Sequence, residues 1–256
     1  MSLPTEQISV YLAAFGLVLA RSLAAFIVVP VTGAAPARLK VAAAAAVAVA
    51  LTPVAALHSP PGPIGLTTYL ALVGKHLLFG LLVGLVAAIF IQVAELAGGV
   101  LDAQIGFNVA EVFDPASGTR SSAITQAHYI IAALLFLLVN GHHWLIVGIG
   151  DSFRHGGWEP PEVSRLDLAR FLKATGPIIY SAVRIAAPGV AALFLADLSL
   201  AIAVRASPQA NVFIVGAPLK ILVGLAIIGL AIPVVAAMIL SLIAEARGWL
   251  LILSGA

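Results

Sequence analysis

The sequence predicts an all-α, polytopic fold of hydrophobic helical hairpins with broken helices, and three observations carry that expectation. Hydrophobic residues make up 62% of the chain and charged residues 9%, against about 25% charge in an ordinary soluble domain. So few ionic groups cannot cover a globule of 256 residues in water. Apolar runs recur at about 8–30, 41–57, 69–101, 127–150, 171–204 and 221–243, and roughly 20 helical residues cross a hydrocarbon core of about 30 Å. Backbone groups without water must find partners inside their own segment, so runs this apolar are helices, not strands.

Each element follows in order. The amino terminus, MSLPTEQ, carries Glu6 but no Lys/Arg-rich region, so the first run is expected to be retained, not removed as a secretory leader. The second run, of 17 residues, is marginal for a crossing, and its alanine-rich stretch 42–50 reads as a thin, close-packing helix. HSPPGPIGL at 58–66 is a proline-rich turn. The run 69–101 has 33 residues, roughly 50 Å if continuous, which calls for tilt, a break or projection beyond a bilayer. A polar insert of 25 residues then separates two membrane-length stretches: Asp102 to Gln126, DAQIGFNVAEVFDPASGTRSSAITQ. After the run 127–150, the connection 151–170 opens with DSFRHGGWEPP and ends in SRLD. Ser164 and Asp167 form a capping box there that should restart a helix. The run 171–204 is interrupted by Pro188-Gly189. No repeat of fixed period occurs, no connection could hold a soluble domain, and residues 1–256 read as one domain.

Charge excludes several classes of function. The net charge of +2 is scattered rather than gathered into a basic stripe, so nucleic acid is not an expected partner. Absence of cysteine removes disulfides, thiolate catalysis and Cys-ligated metals. In a six-span arrangement one side collects Arg154, Arg165, Arg170, Lys173 and Arg247, and the other Arg38, Lys40, Arg120, Arg205 and Lys220. That balance lacks the cytoplasmic bias of an ordinary membrane protein and points to unconventional insertion.

Charges inside apolar runs mark candidate sites, since an ionised group at bilayer depth costs about 2.5–3.5 kcal/mol or more unless paired or wet. Arg21, Lys75, Glu95, Arg184 and Asp197 qualify. Arg184 and Asp197 lie roughly 20 Å apart along an unbroken helix, so each needs a partner on another segment or subunit. Alternatively, such charges only fix helix packing. Gln92, Glu95, Gly99, Asp102 and Gly106 recur at helical spacing on one face. That stripe is expected to face water or a neighbouring subunit; glycine-mediated packing with locally satisfied carboxylates is the competing reading.

Within the insert, Asp114-Pro115 followed by Ser117-Gly118 is turn chemistry. Asp accepts local backbone bonds, Pro fixes φ and Gly tolerates a positive one. Phe107, Val109, Val112 and Phe113 give the approach to the bend an apolar edge that could dock into protein or stop a pore. Enzymatic readings find little support. His142-His143 are adjacent, so they point about 100° apart, and no third ligand stands at helical spacing. The serines of 117–122 lack a Gly-x-Ser-x-Gly elbow, and no nucleotide or dinucleotide fingerprint is present. No cofactor is implied.

Three longer stretches carry a family resemblance. They are GFNVAEVFDPASGTRSS at 106–122, LLFLLVNGHHWLIVGIGDSF at 134–153, and LFLADLSLAIAVRASPQANVFIVGAPLKILVGL at 193–225. Within them, Asp-Pro-x-Ser-Gly at 114–118, Gly-His-His at 141–143, and Arg205, Pro208, Gln209, Asn211, Val212, Phe213, Pro218 and Lys220 stand in the order of the FliR family of flagellar biosynthesis proteins. The injectisome export-gate proteins are relatives of that family. Arg21, Pro30, Pro36 and Arg38 extend the likeness through the amino-terminal hairpin.

The resemblance implies a subunit of the type III secretion export gate in the bacterial inner membrane and flagellar basal body, assembled with FliP and FliQ and contacted by FlhB and FlhA. Unfolded flagellar subunits would be its cargo and membrane lipid its surroundings. It further implies that hairpins at about 8–57, 69–150 and 171–253 wind into a helical assembly raised above the bilayer plane, which would account for the overlong runs and balanced charge. By the same likeness, 106–125 matches a pore-plugging loop, with Gly106, Phe107, Phe113, Asp114, Pro115, Ser117 and Gly118 as its site residues. Gln92, Glu95, Asp102, Arg184 and Asp197 would face the lumen or a subunit interface, and Arg205 to Lys220 would form a polar bend between the last two helical arms. Such a protein gates passage without chemistry of its own. A secondary transporter, with broken helices around a closed solute site, and a membrane enzyme using His142 as a base are the rival functions.

Overall fold

The computed structural model of the chain describes residues 5–29, 36–62, 64–106, 123–160, 177–206 and 212–254. These residues form seven helices: α1 Thr5–Val28, α2 Ala37–Leu57, α3 Leu66–Ile105, α4 Ala123–Leu138, α5 Gly141–Gly156, α6 Pro177–Ala206 and α7 Val212–Ser254. The all-helical expectation holds. Four of them (α1, α2, α3 and α6) are long and apolar enough to cross a membrane, and α4 with α5 makes a fifth candidate bent by 58°.

Where the structure departs from the apolar runs, the reason is local chemistry. α2 reaches back to Ala37 and has 21 residues, so Arg38 and Lys40 ride on its first turn and the marginal length disappears. α3 is unbroken over 40 residues, roughly 60 Å of helix, and it absorbs Asp102 to Ile105 from the polar insert. α6 continues through Pro188, so Pro188-Gly189 is no interruption; helices in apolar surroundings tolerate an internal proline where neighbours satisfy the freed backbone groups. The run 127–150 is the one that breaks. Asn140 takes the left-handed conformation with φ 58°, which Asn adopts more readily than most residues. Gly141 follows, where a Cβ would come within 2.3 Å of the Phe136 ring. The capping box at Ser164 and Asp167 lies outside the described residues.

The chain divides into two compact units. The first comprises Met1–Phe90, Phe136–Lys173 and Leu242–Ala256. In it, α2 turns Ala44, Ala48, Thr52 and Ala55 inward, a stripe of small side chains that lets α1 and α2 approach closely, as the alanine-rich sequence predicts. The α1–α3 contact is closer still: a Cβ on Gly80 would lie 2.2 Å from the Arg21 carbonyl oxygen, and one on Gly84 would lie 2.5 Å from that of Ala25. Trp158 seals one end, buried, with its indole N–H donating to the Ala55 carbonyl at 2.8 Å. The second unit comprises Ile91–Leu135 and Ala174–Ser241. There, Gly189 packs against the Leu101 side chain and Gly224 against Ile105 and Leu193.

Candidate functional site at the root of the polar insert

Two polar clusters of the second unit gather where the insert leaves α3 and enters α4. In the first, Asp102 is fully buried. Its Oδ2 accepts the Thr125 backbone N–H at 2.8 Å and the Thr125 hydroxyl as well. Thr125 is the third residue of α4, so the carboxylate satisfies one of the helix's otherwise unpaired first-turn donors and sits at the end where a negative charge is favoured. Gly98, one turn back on α3, makes the approach possible: a Cβ there would lie 2.8 Å from the Thr125 Cα. The two stems of the insert are therefore stitched together by a contact spanning 23 residues of sequence.

In the second cluster, Asp197 of α6 receives the Lys220 ammonium of α7 at 2.8 Å on Oδ1 and 3.0 Å on Oδ2. Gln104 of α3 donates to the same carboxylate at 3.3 Å. One acid thus joins three helices, and Gln104 stands two residues before Gly106, where α3 ends in a turn with φ +93°. That conformation favours glycine over any residue with a Cβ.

The stripe expected to face water or a subunit separates into different environments. Gln92 is exposed and Glu95 half-buried, while Asp102 corrects the expectation: its carboxylate is buried against Thr125, because α3 continues past it and carries it to the start of α4. Asp197 has found a partner on another segment, Lys220. Arg184 is exposed on α6. Of the polar bend expected from Arg205 to Lys220, the stretch 207–211 lies outside the described residues, between α6 and α7. Arg205 lies in the last turn of α6, whereas Phe213, Pro218 and Lys220 lie within α7. Pro208, Gln209 and Asn211 fall outside the described residues, as do Phe107, Phe113, Asp114, Pro115, Ser117 and Gly118 of the insert. His142 and His143 are exposed on the first turn of α5, and His128 is buried with Nδ1 2.9 Å from the Ile124 carbonyl of its own helix.

Sequence reasoning missed Thr125 and Gln104. Gln104 carried a usable signal, being an amide in the last turn of an apolar helix. Thr125 carried none, since a hydroxyl in a first turn reads as a local cap. Asp102→Ala will strand both Thr125 donors and remove the capping acceptor, a loss of about 1–2 kcal/mol. At roughly 2–4 °C per kcal/mol for a chain of this size, the thermal midpoint of the detergent-purified protein should fall by roughly 2–8 °C. An unchanged midpoint would show that the stitch does not stabilise the fold.

Long apolar helices, short connections and carboxylates paired between helices define a polytopic α-helical membrane protein. The family of bacterial export proteins, family 1, matches residues 12–246, and the chain belongs to that family. It is 42% identical to the flagellar biosynthetic protein FliR of Bacillus subtilis over 158 residues, 60% of this chain and 61% of the relative. It is 29% identical to the flagellar biosynthetic protein FliR of Escherichia coli over 204 residues, 78% of this chain and 76% of the relative. The Yop proteins translocation protein T of Yersinia pestis is 30% identical over 157 residues, 60% of this chain and 59% of that protein. The chain thus aligns with about three-fifths to three-quarters of the length of these relatives.

Proposed function

We propose that the chain is a structural and gating subunit of the flagellar type III secretion export gate, forming a pore with FliP and FliQ through which unfolded flagellar subunits pass. The observation that carries this reading is the family match over 12–246, joined to flagellar relatives at up to 42% identity among those compared. Supporting it, the polar insert with its Asp114-Pro115 and Ser117-Gly118 turn chemistry is rooted on stems clasped by Asp102 and Thr125. A loop held at its root can close a passage and swing aside without unravelling the helices that carry it. FlhB and FlhA are the neighbouring components in this reading, the bacterial inner membrane and flagellar basal body its location, and the energy for export is supplied elsewhere in the machine.

Deleting Asp114 to Gly118 tests the plug. Assembly with the partner subunits should persist, while the cell membrane becomes leaky to small ions; an ion-tight membrane in a strain with normal assembly would refute a closing role. The Yersinia relative supports a second reading, an injectisome export-gate subunit. Restored swimming in a strain lacking its own FliR favours the flagellum, and restored effector secretion without swimming favours the injectisome.

A further inference from the structure

Arg21 lies mid-way along α1 with no exposed surface, the largest fully buried side chain among the described residues. Its guanidinium lies over two aromatic rings, with Cζ 4.5 Å from the Phe79 centroid and 4.0 Å from that of Phe153. Nη1 donates to the Ser152 hydroxyl, which in turn donates a hydrogen bond to the Ile149 carbonyl at 2.6 Å. The remaining edge, Nε and Nη2, has no hydrogen-bond partner among the described residues. That edge is the fork that grips an anion with two parallel N–H bonds.

Among the described side chains, the surroundings lack the matching charge. The described carboxylates of this unit are engaged or outside: Asp151 pairs with Arg154 at 3.2 Å, Glu159 with Lys75 at 3.5 Å, and Glu6 is exposed. A buried ion without a counter-charge is among the costliest arrangements in a fold, and two ring faces offset only part of that cost. Two more buried polar atoms nearby in the unit lack partners. One is Ser22 Oγ, on the next residue. The other is Nδ1 of His76, whose ring stacks on the same Phe153 at 5.2 Å while its Nε2–H donates to the Trp158 carbonyl at 2.9 Å. A partner protein's carboxylate has no route to a side chain with no exposed surface, whereas a small free ion needs only a transient opening to reach it.

We propose that the Nε–Nη2 edge of Arg21 binds one small monovalent inorganic anion, with chloride as the physiological representative, inside the first unit. The anion neutralises the guanidinium that lies over Phe79 and Phe153, and completes a polar centre at which α1, α3 and α5 meet.

The test is equilibrium binding of radiolabelled chloride to the purified full chain, exchanged into chloride-free gluconate buffer at constant ionic strength. Wild-type protein should bind one chloride per chain saturably, bromide should compete, and the thermal midpoint should rise with either halide. Arg21→Gln should abolish binding, and Arg21→Lys, which keeps the charge but not the fork, should weaken it at least tenfold. Should Arg21→Gln fail to fold, the wild-type stoichiometry and the Arg21→Lys weakening still decide. Absence of saturable halide binding by wild type would overturn the proposal and leave water as the occupant of that edge. Equal binding by a folded Arg21→Gln protein would overturn it as well.

Discussion

Replacing Gly80 by valine will prevent α1 and α3 from meeting and will remove most of the folded protein from the membrane. At Gly80 a Cβ would stand 2.2 Å from the Arg21 carbonyl oxygen and 2.9 Å from the Ala24 Cβ. The first obstacle is backbone, so no rotamer change relieves it. Gly84, one turn on, meets the Ala25 backbone at 2.5 Å, which prevents the helices from sliding to accommodate the branch. Without a strong hydrophobic drive between helices in lipid, association rests on this close packing. Overpacking costs about 1–3 kcal/mol even where a core can yield, and here the displaced contact also carries Phe79 away from Arg21. Steady-state level and protease resistance of the membrane-inserted protein should fall several-fold. Gly74→Ala, on the same helix with nothing within 4 Å of its Cβ, should behave as wild type or slightly better. Wild-type levels and resistance for Gly80→Val would mean that the two helices do not pack as described.

Asp197→Leu should have the next largest effect, because it leaves the Lys220 ammonium and the Gln104 amide without their shared acceptor. Removing one member of a fully buried ion pair costs about 3–5 kcal/mol. The Asp197 side chain is 37% exposed and that of Lys220 22%, so solvent reduces the loss to roughly 1–2 kcal/mol. The consequence for assembly should exceed that figure, since the pair fixes α6 against α7 and holds the last turn of α3 beside Gly106. Co-purification of partner subunits with the variant should drop, and the exchange Asp197→Lys with Lys220→Asp should recover much of it. Wild-type recovery of partners by Asp197→Leu alone would rule out an ionic role.

Hydropathy made the helical class and the positions of α1, α2, α3 and α6 legible, because both composition and run length are properties of the chain itself. It could not reveal the break at Asn140, where leucine and valine lead into the bend without any fall in apolar character; the left-handed turn is visible only through the Asn-Gly pair. Pro188 misled in the opposite direction, since proline breaks helices in water more readily than between apolar neighbours. The polar stripe was visible as a periodicity, yet the fate of its acids was not. Asp102 and Thr125 are 23 positions apart, as are Asp197 and Lys220, and no local pattern encodes which distant donor a carboxylate will meet. Arg21 was legible as a charge in an apolar run; its aromatic enclosure required Phe79 and Phe153 to be brought together from different helices.

α3, with 40 residues, is about twice as long as the oily interior of a membrane is thick, and it leaves a strip of hydrocarbon side chains bare, Leu70, Leu78, Leu85 and Leu96 among them. Whatever portion stands clear of lipid must be clothed by other polypeptide. In the export-gate reading proposed above, a solitary copy would hold grease against water, and its persistence in a cell should depend on the supply of its companions.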